Sequence, residues 1–361
     1  VGLAPPSRIG VIGTGAIGAW HARIVAERPD AVLAALCDID TARAAALAAS
    51  LGGDVFAEAA DMFARGGLDG VIIATPEHVH LEHARLAAAA GVPMLIEKPV
   101  AATAAEVRAI RRATVGVAVM AGHVERFDTG SAQLRAAVTQ GVCGRVVAVT
   151  ARRQFVAADT PRFAGRSSTP RILAVHDLDL LAWVHPVPVI QVHAVAGRGD
   201  VFARTGLDDH VVTTLRFADG AVGLVESAWT LPAPYGVFAS PVGWGPSGNN
   251  RLEVFGGTGM VSHDTGLRAQ SLIAFDEAGG FRAAGLRHQT LLHGRVVGAL
   301  VEEVAAFLRV VREGATPLVG LDDAAIVARL TDAAERSLAT GQPVRPDDAP
   351  HDAGDDWHGA C

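Results

Sequence analysis

Short apolar runs alternate with longer amphipathic stretches over the first third of the chain. Arg8 to Ile12, Ala31 to Leu36, Asp69 to Ala74, Met94 to Ile96 and Val117 to Met120 are the apolar runs, most of them bounded by glycine, proline or acidic residues. Runs of this kind, with little polar alternation, read as strands buried on both faces, as in a parallel sheet. Helical patterns lie between them. One carries Trp20, Ile24 and Val25, one runs through His80, His83 and Leu86 to Ala90, and one spans Thr103 to Arg112. Thr103 and Glu106 have the spacing of a capping box. The alternation predicts a doubly wound α/β domain with a parallel sheet over residues 1–122.

Beyond Met120 the pattern turns strand-rich. Arg145 to Phe155, Val187 to Ala196, His210 to Phe217, Ala221 to Leu231, Arg251 to Ser262 and Leu267 to Phe275 read as strands, with Asp219-Gly220 as a hairpin turn. Helices are expected at Ser131 to Gln140, Thr169 to Val184, Val296 to Glu313 and Asp322 to Thr340. Residues 123–346 therefore read as an α+β domain with a large, mostly antiparallel open sheet. Apolar residues alternating along the strands predict that the uncovered face joins copies into a homodimer or homotetramer. Trp229, Tyr235 and Trp244 bracket a Pro/Gly-rich segment, Pro232 to Gly248, which reads as a loop over a pocket or a subunit contact. The acidic tail, residues 347–361, is expected to be disordered.

Composition narrows the function classes. The 361 residues, half of them hydrophobic, are enough for two globular domains. A net charge of −7 with scattered arginines gives no footprint for nucleic acid. No apolar run has the length of a membrane span. The stretch Val1 to Arg8 lacks the charged and apolar blocks of a signal peptide. Cys37, Cys143 and Cys361 are too dispersed for a disulfide framework or a metal-ligand set, and no metal is expected. A cytoplasmic protein fits all of this.

The turn after the first strand is Gly13-Thr14-Gly15-Ala16-Ile17-Gly18. In a G-x-G-x-x-G the first glycine permits the tight turn. The second admits a pyrophosphate close to the backbone, and the third lets helix and strand pack closely. Asp38 closes the next strand, twenty residues beyond Gly18, where a carboxylate can accept a ribose 2′-hydroxyl. The carboxylate would repel a 2′-phosphate, which favours NAD, while the nearby Arg43 leaves NADP open. Thr75, Pro76 and Glu97-Lys98-Pro99 also follow strand ends, where ligands of such sheets bind, and His80 stands near the same crevice. His83 reads as a surface residue and Trp20 as packing.

Lys98 is the single lysine of the chain; every other long cationic side chain is arginine. A lysine can be brought toward neutrality by burial or a second charge, whereas arginine stays protonated. Lys98 is therefore a candidate for chemistry. In the second domain, Arg171-Ile172 and His176-Asp177-x-Asp179 lie on one predicted helix. His176 and Asp179, three apart, share a face there, so that an imidazole could take a proton while a carboxylate orients it.

The glycine-rich turn, Thr75-Pro76 with His80, Glu97-Lys98-Pro99 and His176-Asp177-x-Asp179 occur in that order. Together they resemble the glucose–fructose oxidoreductase, inositol dehydrogenase and rhizopine-catabolism family (Gfo/Idh/MocA). Gly122-His123-Val-Glu-Arg126-Phe127 looks like the branch acting on nucleotide sugars such as UDP-N-acetylglucosamine. The resemblance implies an N-terminal Rossmann domain and NAD(P)-dependent hydride transfer at a hydroxyl-bearing carbon of a sugar, nucleotide sugar or cyclitol. It implies that Lys98 contacts the reacting hydroxyl and that His176 is the acid/base. His123, Arg126, Asp177, Asp179 and Ile172 are candidates for the substrate side. Many members carry an Asp four residues before the histidine, where this chain has Ile172. Asp177 or Asp179 could compensate, or Arg171 could shape the pocket for an anion. The departure keeps open two other readings: a dinucleotide-binding sensor or partner subunit with impaired catalysis, and a same-fold enzyme with transient redox, such as an NAD-dependent glycosidase.

Overall fold

The computed structural model describes residues 5–232, 248–264, 273–276, 280–283 and 290–346. Its first sheet has the order β3-β2-β1-β4-β5-β6, with every neighbouring pair parallel. The strands are β1 (Ser7–Ile12), β2 (Ala31–Cys37), β3 (Asp54–Phe56), β4 (Gly70–Ile73), β5 (Met94–Glu97) and β6 (Val119–Gly122). The helices between them are α1 (Ala16–Glu27), α2 (Thr41–Leu51), α3 (Ala59–Arg65), α4 (His80–Ala89) and α5 (Ala104–Ala113). Ile9, Val11, Ile72, Ile73, Leu95 and Ile96 have no exposed surface, as expected of strands covered on both faces. Thr103 caps α5 through the capping box that its spacing with Glu106 announced. The β2–β1–β4 reversal of strand order opens a crevice at the carboxyl ends.

The second sheet has the order β12-β11-β7-β10-β9-β8. After α6 (Thr129–Thr139), the chain makes β7 (Val146–Val156), α7 (Val175–Val184), β8 (Val189–Gly197), α8 (Asp200–Thr205), β9 (His210–Phe217) and β10 (Val222–Leu231). β11 (Arg251–Gly256) and β12 (Met260–Asp264) are a hairpin where the sequence reads as one strand; the chain reverses through Gly257 and Gly259. All pairings are antiparallel except that of β7 with β10. Short hairpins β13 (Ile273–Asp276) with β14 (Gly280–Ala283), and β15 (Thr290–Leu292) with β16 (Arg295–Val297), precede α9 (Ala299–Glu313) and α10 (Leu321–Thr340). Most of Pro232 to Gly248, most of the expected Leu267 to Phe275 strand and all of residues 347–361 lie outside the described residues.

α7 and α10 cover one face of the second sheet and share a core with it that includes Leu178, Leu181, Val211, Phe217 and Val225. The opposite face carries exposed Val147, Val195, Val222 and Leu224. The two sheets are not closed off from each other. α9 returns to the first one and inserts Leu300, Val304 and Phe307 among Ile9, Ile72 and Leu95. Val319, just before α10, accepts a hydrogen bond from the backbone of Ala121 at the end of β6. No helix among the described residues is long and apolar enough to cross a membrane.

Candidate active site

The three glycines after β1 are required for three different reasons. Gly13 has φ +88°, and a Cβ there would lie 2.7 Å from the carbonyl oxygen of Ala74. At Gly18 a Cβ would lie 1.8 Å from the carbonyl oxygen of Gly13, so the first turn of α1 rests directly on the loop. At Gly15, next to Ala16 and Ile17 at the start of α1, a Cβ would meet nothing within 4 Å. The chain has kept open the space at the helix N-terminus where a pyrophosphate fits.

Asp38, just past β2, is buried in a net of donors. One carboxylate oxygen accepts from Thr14 N (2.7 Å) and Oγ1 (2.8 Å), the other from Asp40 N (2.9 Å) and Arg43 Nη2 (2.8 Å). Burial alone would raise this carboxyl, but the donors outweigh it and hold it below the usual carboxylate range. The structure thus places Arg43 in an ion pair with Asp38, within 3.4 Å of Asp40, which satisfies its charge locally.

Thr75 and Pro76 follow β4. Thr75 Oγ1 lies 3.2 Å from His83 Nδ1, so His83 is a support of this loop, against its reading as a surface residue. His80 is 1% exposed, with Nε2 2.8 Å from the Thr75 carbonyl and Nδ1 3.0 Å from that of Val100. It ties the loop after β4 to the loop after β5 from beneath. Burial pushes the imidazoles of both His80 and His83 toward the neutral form.

Glu97 ends β5, buried, and turns to His21 of α1: Nε2 and Oε1 are 2.7 Å apart. Its other oxygen accepts from the backbone N–H of Lys98 at 3.1 Å. The Lys98-Pro99 bond is cis. Lys98 then points across to the second domain, where its Nζ donates to the carbonyl of Ile172 at 3.5 Å. Burial pushes the Lys98 ammonium down to about 8; Glu97 opposes that, the charge of Arg153 adds to it, and Glu125 and Glu77 oppose it.

Ile172 belongs to a π-helical turn, Pro170–Ala174, that leads directly into α7. No residue pattern announces it; a wide turn of this kind displaces carbonyls from the usual ladder and recurs at functional sites. The Ile172 side chain packs away with Leu173, Val201, Leu207 and Trp229. Its carbonyl puts Lys98 one helical turn before His176, which is half-buried near the start of α7.

Several candidates for the substrate side are occupied by one another. Asp179 is fully buried and clamped by Arg126, with 2.6 Å between Nη2 and Oδ1, and His123 lies 3.7 Å away. Arg126 also reaches Asp323 of α10 at 2.9 Å. Asp177 pairs with Arg153 at 2.9 Å, and Arg153 pairs in turn with Glu125 at 2.7 Å. His123, Arg126, Asp177 and Asp179 are each at most 9% exposed. They frame the wall behind His176 and Lys98; the carboxylates are committed to buried arginines and do not stand free to replace the missing acid at Ile172. Arg171 is likewise committed, to Asp332 and Glu335 of α10, and does not shape the pocket for an anion.

Arg153 is one residue that sequence reasoning missed. It is 2% exposed and in phase with the inward-facing Val149 and Ala151 of β7, so a charged residue at a core position of an alternating strand was its signal. Burial would lower its proton affinity, but Asp177 and Glu125 more than restore it. His21 was missed too; it sits on the inward face of α1 with no exposed surface.

Residues 7–123 match the family described as an oxidoreductase family with an NAD-binding Rossmann fold, and residues 131–262 match the C-terminal domain of the same Gfo/Idh/MocA family. The chain belongs to this family. It is an NAD-dependent oxidoreductase of CH–OH groups, as its similarity to named inositol dehydrogenases indicates. It is 27% identical to a myo-inositol 2-dehydrogenase of Thermotoga maritima over 94% of this chain and 98% of the relative. It is 30% identical to inositol 2-dehydrogenase 2 of Paenarthrobacter aurescens over 76% of this chain and 79% of the relative. The crystal structure of a myo-inositol dehydrogenase from Corynebacterium glutamicum superposes with a TM-score of 0.78 at 26% identity, covering 95% of this chain and all of the other.

Proposed function

We propose that the substrate is a cyclitol or closely related polyol, oxidised at one ring hydroxyl. The observation that carries the reading is Lys98: the chain's single lysine, brought near neutrality by burial and held against the turn that leads to His176. Gly13, Gly15, Ala16, Ile17 and Gly18 would hold the pyrophosphate of NAD and Asp38 its adenosine ribose, with Thr75, Pro76 and Glu97 bordering the crevice. Bound NAD supplies the hydride acceptor. Lys98 donates a hydrogen bond to the substrate oxygen and stabilises negative charge developing there, while His176 takes the hydroxyl proton. His80 and the buried pairs Arg126–Asp179 and Arg153–Asp177 fix these groups from behind. A proton acceptor beside the hydroxyl and a cation against the oxygen are what alcohol oxidation needs.

The relatives named as inositol dehydrogenases favour a cyclitol over a nucleotide sugar. We also read the exposed apolar face of the second sheet, around Val147, Val195, Val222 and Leu224, as the contact with a second copy. The test is the absorbance of reduced nicotinamide with NAD and a panel of myo-inositol, scyllo-inositol, glucose and UDP-N-acetylglucosamine. One NADH per cyclitol consumed is the expected result. Cofactor binding without turnover across the panel would favour a sensor or partner subunit, and product release without net NADH would favour transient redox.

A further inference from the structure

α9 carries one residue at odds with its own pattern. Leu300, Val304 and Phe307 form its apolar face, and Glu303 lies among them with no exposed surface. Neither carboxylate oxygen of Glu303 has a hydrogen-bond partner among the described residues. It faces the pair made by His21 of α1 and Glu97 of β5, whose Nε2 and Oε1 are 2.7 Å apart. The other ring nitrogen of His21, Nδ1, is also buried without a partner among the described residues. One donor or acceptor atom from each of the three residues lies within 4.8 Å of the other two.

A cation and a proton make different demands on such a cluster. A tetrahedral zinc ion with nitrogen and oxygen ligands at about 2.0–2.2 Å keeps neighbouring ligand atoms roughly 3.3 Å apart. The 2.7 Å between His21 and Glu97 is the span of a shared proton. An ionised carboxylate with no donor in an apolar wall is strongly disfavoured, and such a group takes up a proton instead.

We propose that His21, Glu97 and Glu303 form a buried cluster in which His21 and Glu97 share a proton, Glu303 keeps its own, Glu97 alone holds the negative charge behind Lys98, and Glu303 is thereby a positioning residue for that lysine. Burial and the charge of Glu97 push the Glu303 carboxyl well above the carboxylate range. Burial would raise Glu97 as well, but His21 and Lys98 outweigh it and hold it low. The other charges on elements packed against α9 are engaged elsewhere. Arg23 of α1 pairs with Glu27, Arg126 with Asp179, and Glu125 with Arg153. Arg8 of β1 donates to the Gly67 carbonyl, and Arg295 of β16 is exposed. On α9 itself, Glu302, Arg309, Arg312 and Glu313 are exposed. A second negative charge beside Glu97 would tighten the hold of Lys98 on its proton; a neutral Glu303 leaves that lysine poised.

The inference rests on Lys98 being the group beside the reacting hydroxyl, but its test needs no turnover, so a failed dehydrogenase assay leaves the readouts intact. With one lysine in the chain, full-length protein labelled with 13C-lysine gives one side-chain resonance to titrate. In the unaltered protein a main inflection from Lys98 is expected, with a smaller alkaline one as Glu303 ionises. Glu303→Gln should leave the main inflection within about 0.3 pH unit and abolish the smaller one, whereas Glu97→Gln should lower the main inflection by about one unit. Infrared spectra at pH 7 should contain a protonated-carboxyl band that Glu303→Gln removes. The proposal is overturned if Glu303→Gln lowers the lysine inflection as Glu97→Gln does, or if the two lysine curves have the same shape. It is equally overturned if the carboxyl band is unchanged, or if metal analysis finds a stoichiometric divalent ion that Glu303→Gln loses. Should Glu97→Gln not fold, the Glu303→Gln titration and the infrared band decide.

Discussion

The ammonium of Lys98 lies 3.5 Å from the carbonyl oxygen of Ile172, so the strand-end lysine of one sheet meets the turn that leads into the helix of His176. Lys98→Arg is expected to lower kcat by about 10²–10⁴-fold, because a guanidinium neither fits the same contact nor titrates near neutrality. Full turnover in steady-state assays of that variant would remove Lys98 from the reaction. If the ammonium form is the active one, kcat falls above pH 8 in the unaltered enzyme, following the lysine held at about 8.

The same depressed lysine bears on stability. Between about 8 and its ordinary value of 10.5 the unfolded chain binds the proton more readily than the folded one, so this group's contribution makes stability rise with pH across that window. Lys98→Met removes the buried charge. It is expected to raise the thermal midpoint at pH 7 by roughly a few degrees, with the gain fading as the pH approaches the upper end of the window. Calorimetric scans at several pH values check this; an equal gain at every pH would point to packing instead.

Gly15 and Gly18 separate binding from folding. Gly15 has φ −64° and open space where a Cβ would go, so Gly15→Ala should fold with an unchanged midpoint yet lose about tenfold or more in NAD affinity by occupying the phosphate space. Gly18→Ala drives a methyl group into the Gly13 carbonyl and should lose both stability and affinity. Calorimetry with and without NAD distinguishes the two; a destabilised Gly15→Ala would refute the assignment.

Asp38→Ala should raise the Michaelis constant for NAD by about tenfold, through loss of a charged hydrogen-bond acceptor for the ribose. It also releases Arg43 from its 2.8 Å ion pair with Asp38, leaving only the longer contact with Asp40, so that a 2′-phosphate would meet a less committed cation. NADP should therefore suffer less than NAD. Equal effects on both cofactors would sink this account.

Arg153→Met removes the buried cation that pairs with both Glu125 and Asp177. The expected loss is about 3–5 kcal/mol in urea unfolding, the cost of breaking a buried pair from one side. A loss below about 1 kcal/mol would mean that water reaches the two carboxylates.

The nucleotide-binding half was legible because its signals are local. The glycines, Asp38 and most strand ends follow from patterns a few residues long, and the parallel sheet follows from alternation of strand and helix, while the three-residue β3 was too short to read as a strand. What the sequence hid is pairing at a distance. Arg126 and Asp179 are 53 residues apart, Arg153 and Asp177 are 24 apart, and no periodicity says which buried charges meet. Asp179 therefore read as a partner for His176 when its carboxylate is committed to Arg126. Parallel pairing of β7 with β10 escaped notice for a related reason: strand propensity carries no direction. Glu303 went unread, although an acid in an apolar stripe is a local conflict of the sort that marks functional positions.

The return of α9 to the first sheet makes the nucleotide-binding half an incomplete object by itself. A fragment ending at Gly122 would leave Ile9, Ile72 and Leu95 without the cover of Leu300, Val304 and Phe307. It would also lose Val319 as acceptor at the end of β6. The core of the nucleotide-binding half therefore includes residues nearly three hundred positions beyond the glycine loop. A dinucleotide-binding module cut from this chain at its apparent boundary should be insoluble, and grafting the second domain onto another protein would carry part of the first one's core away with it.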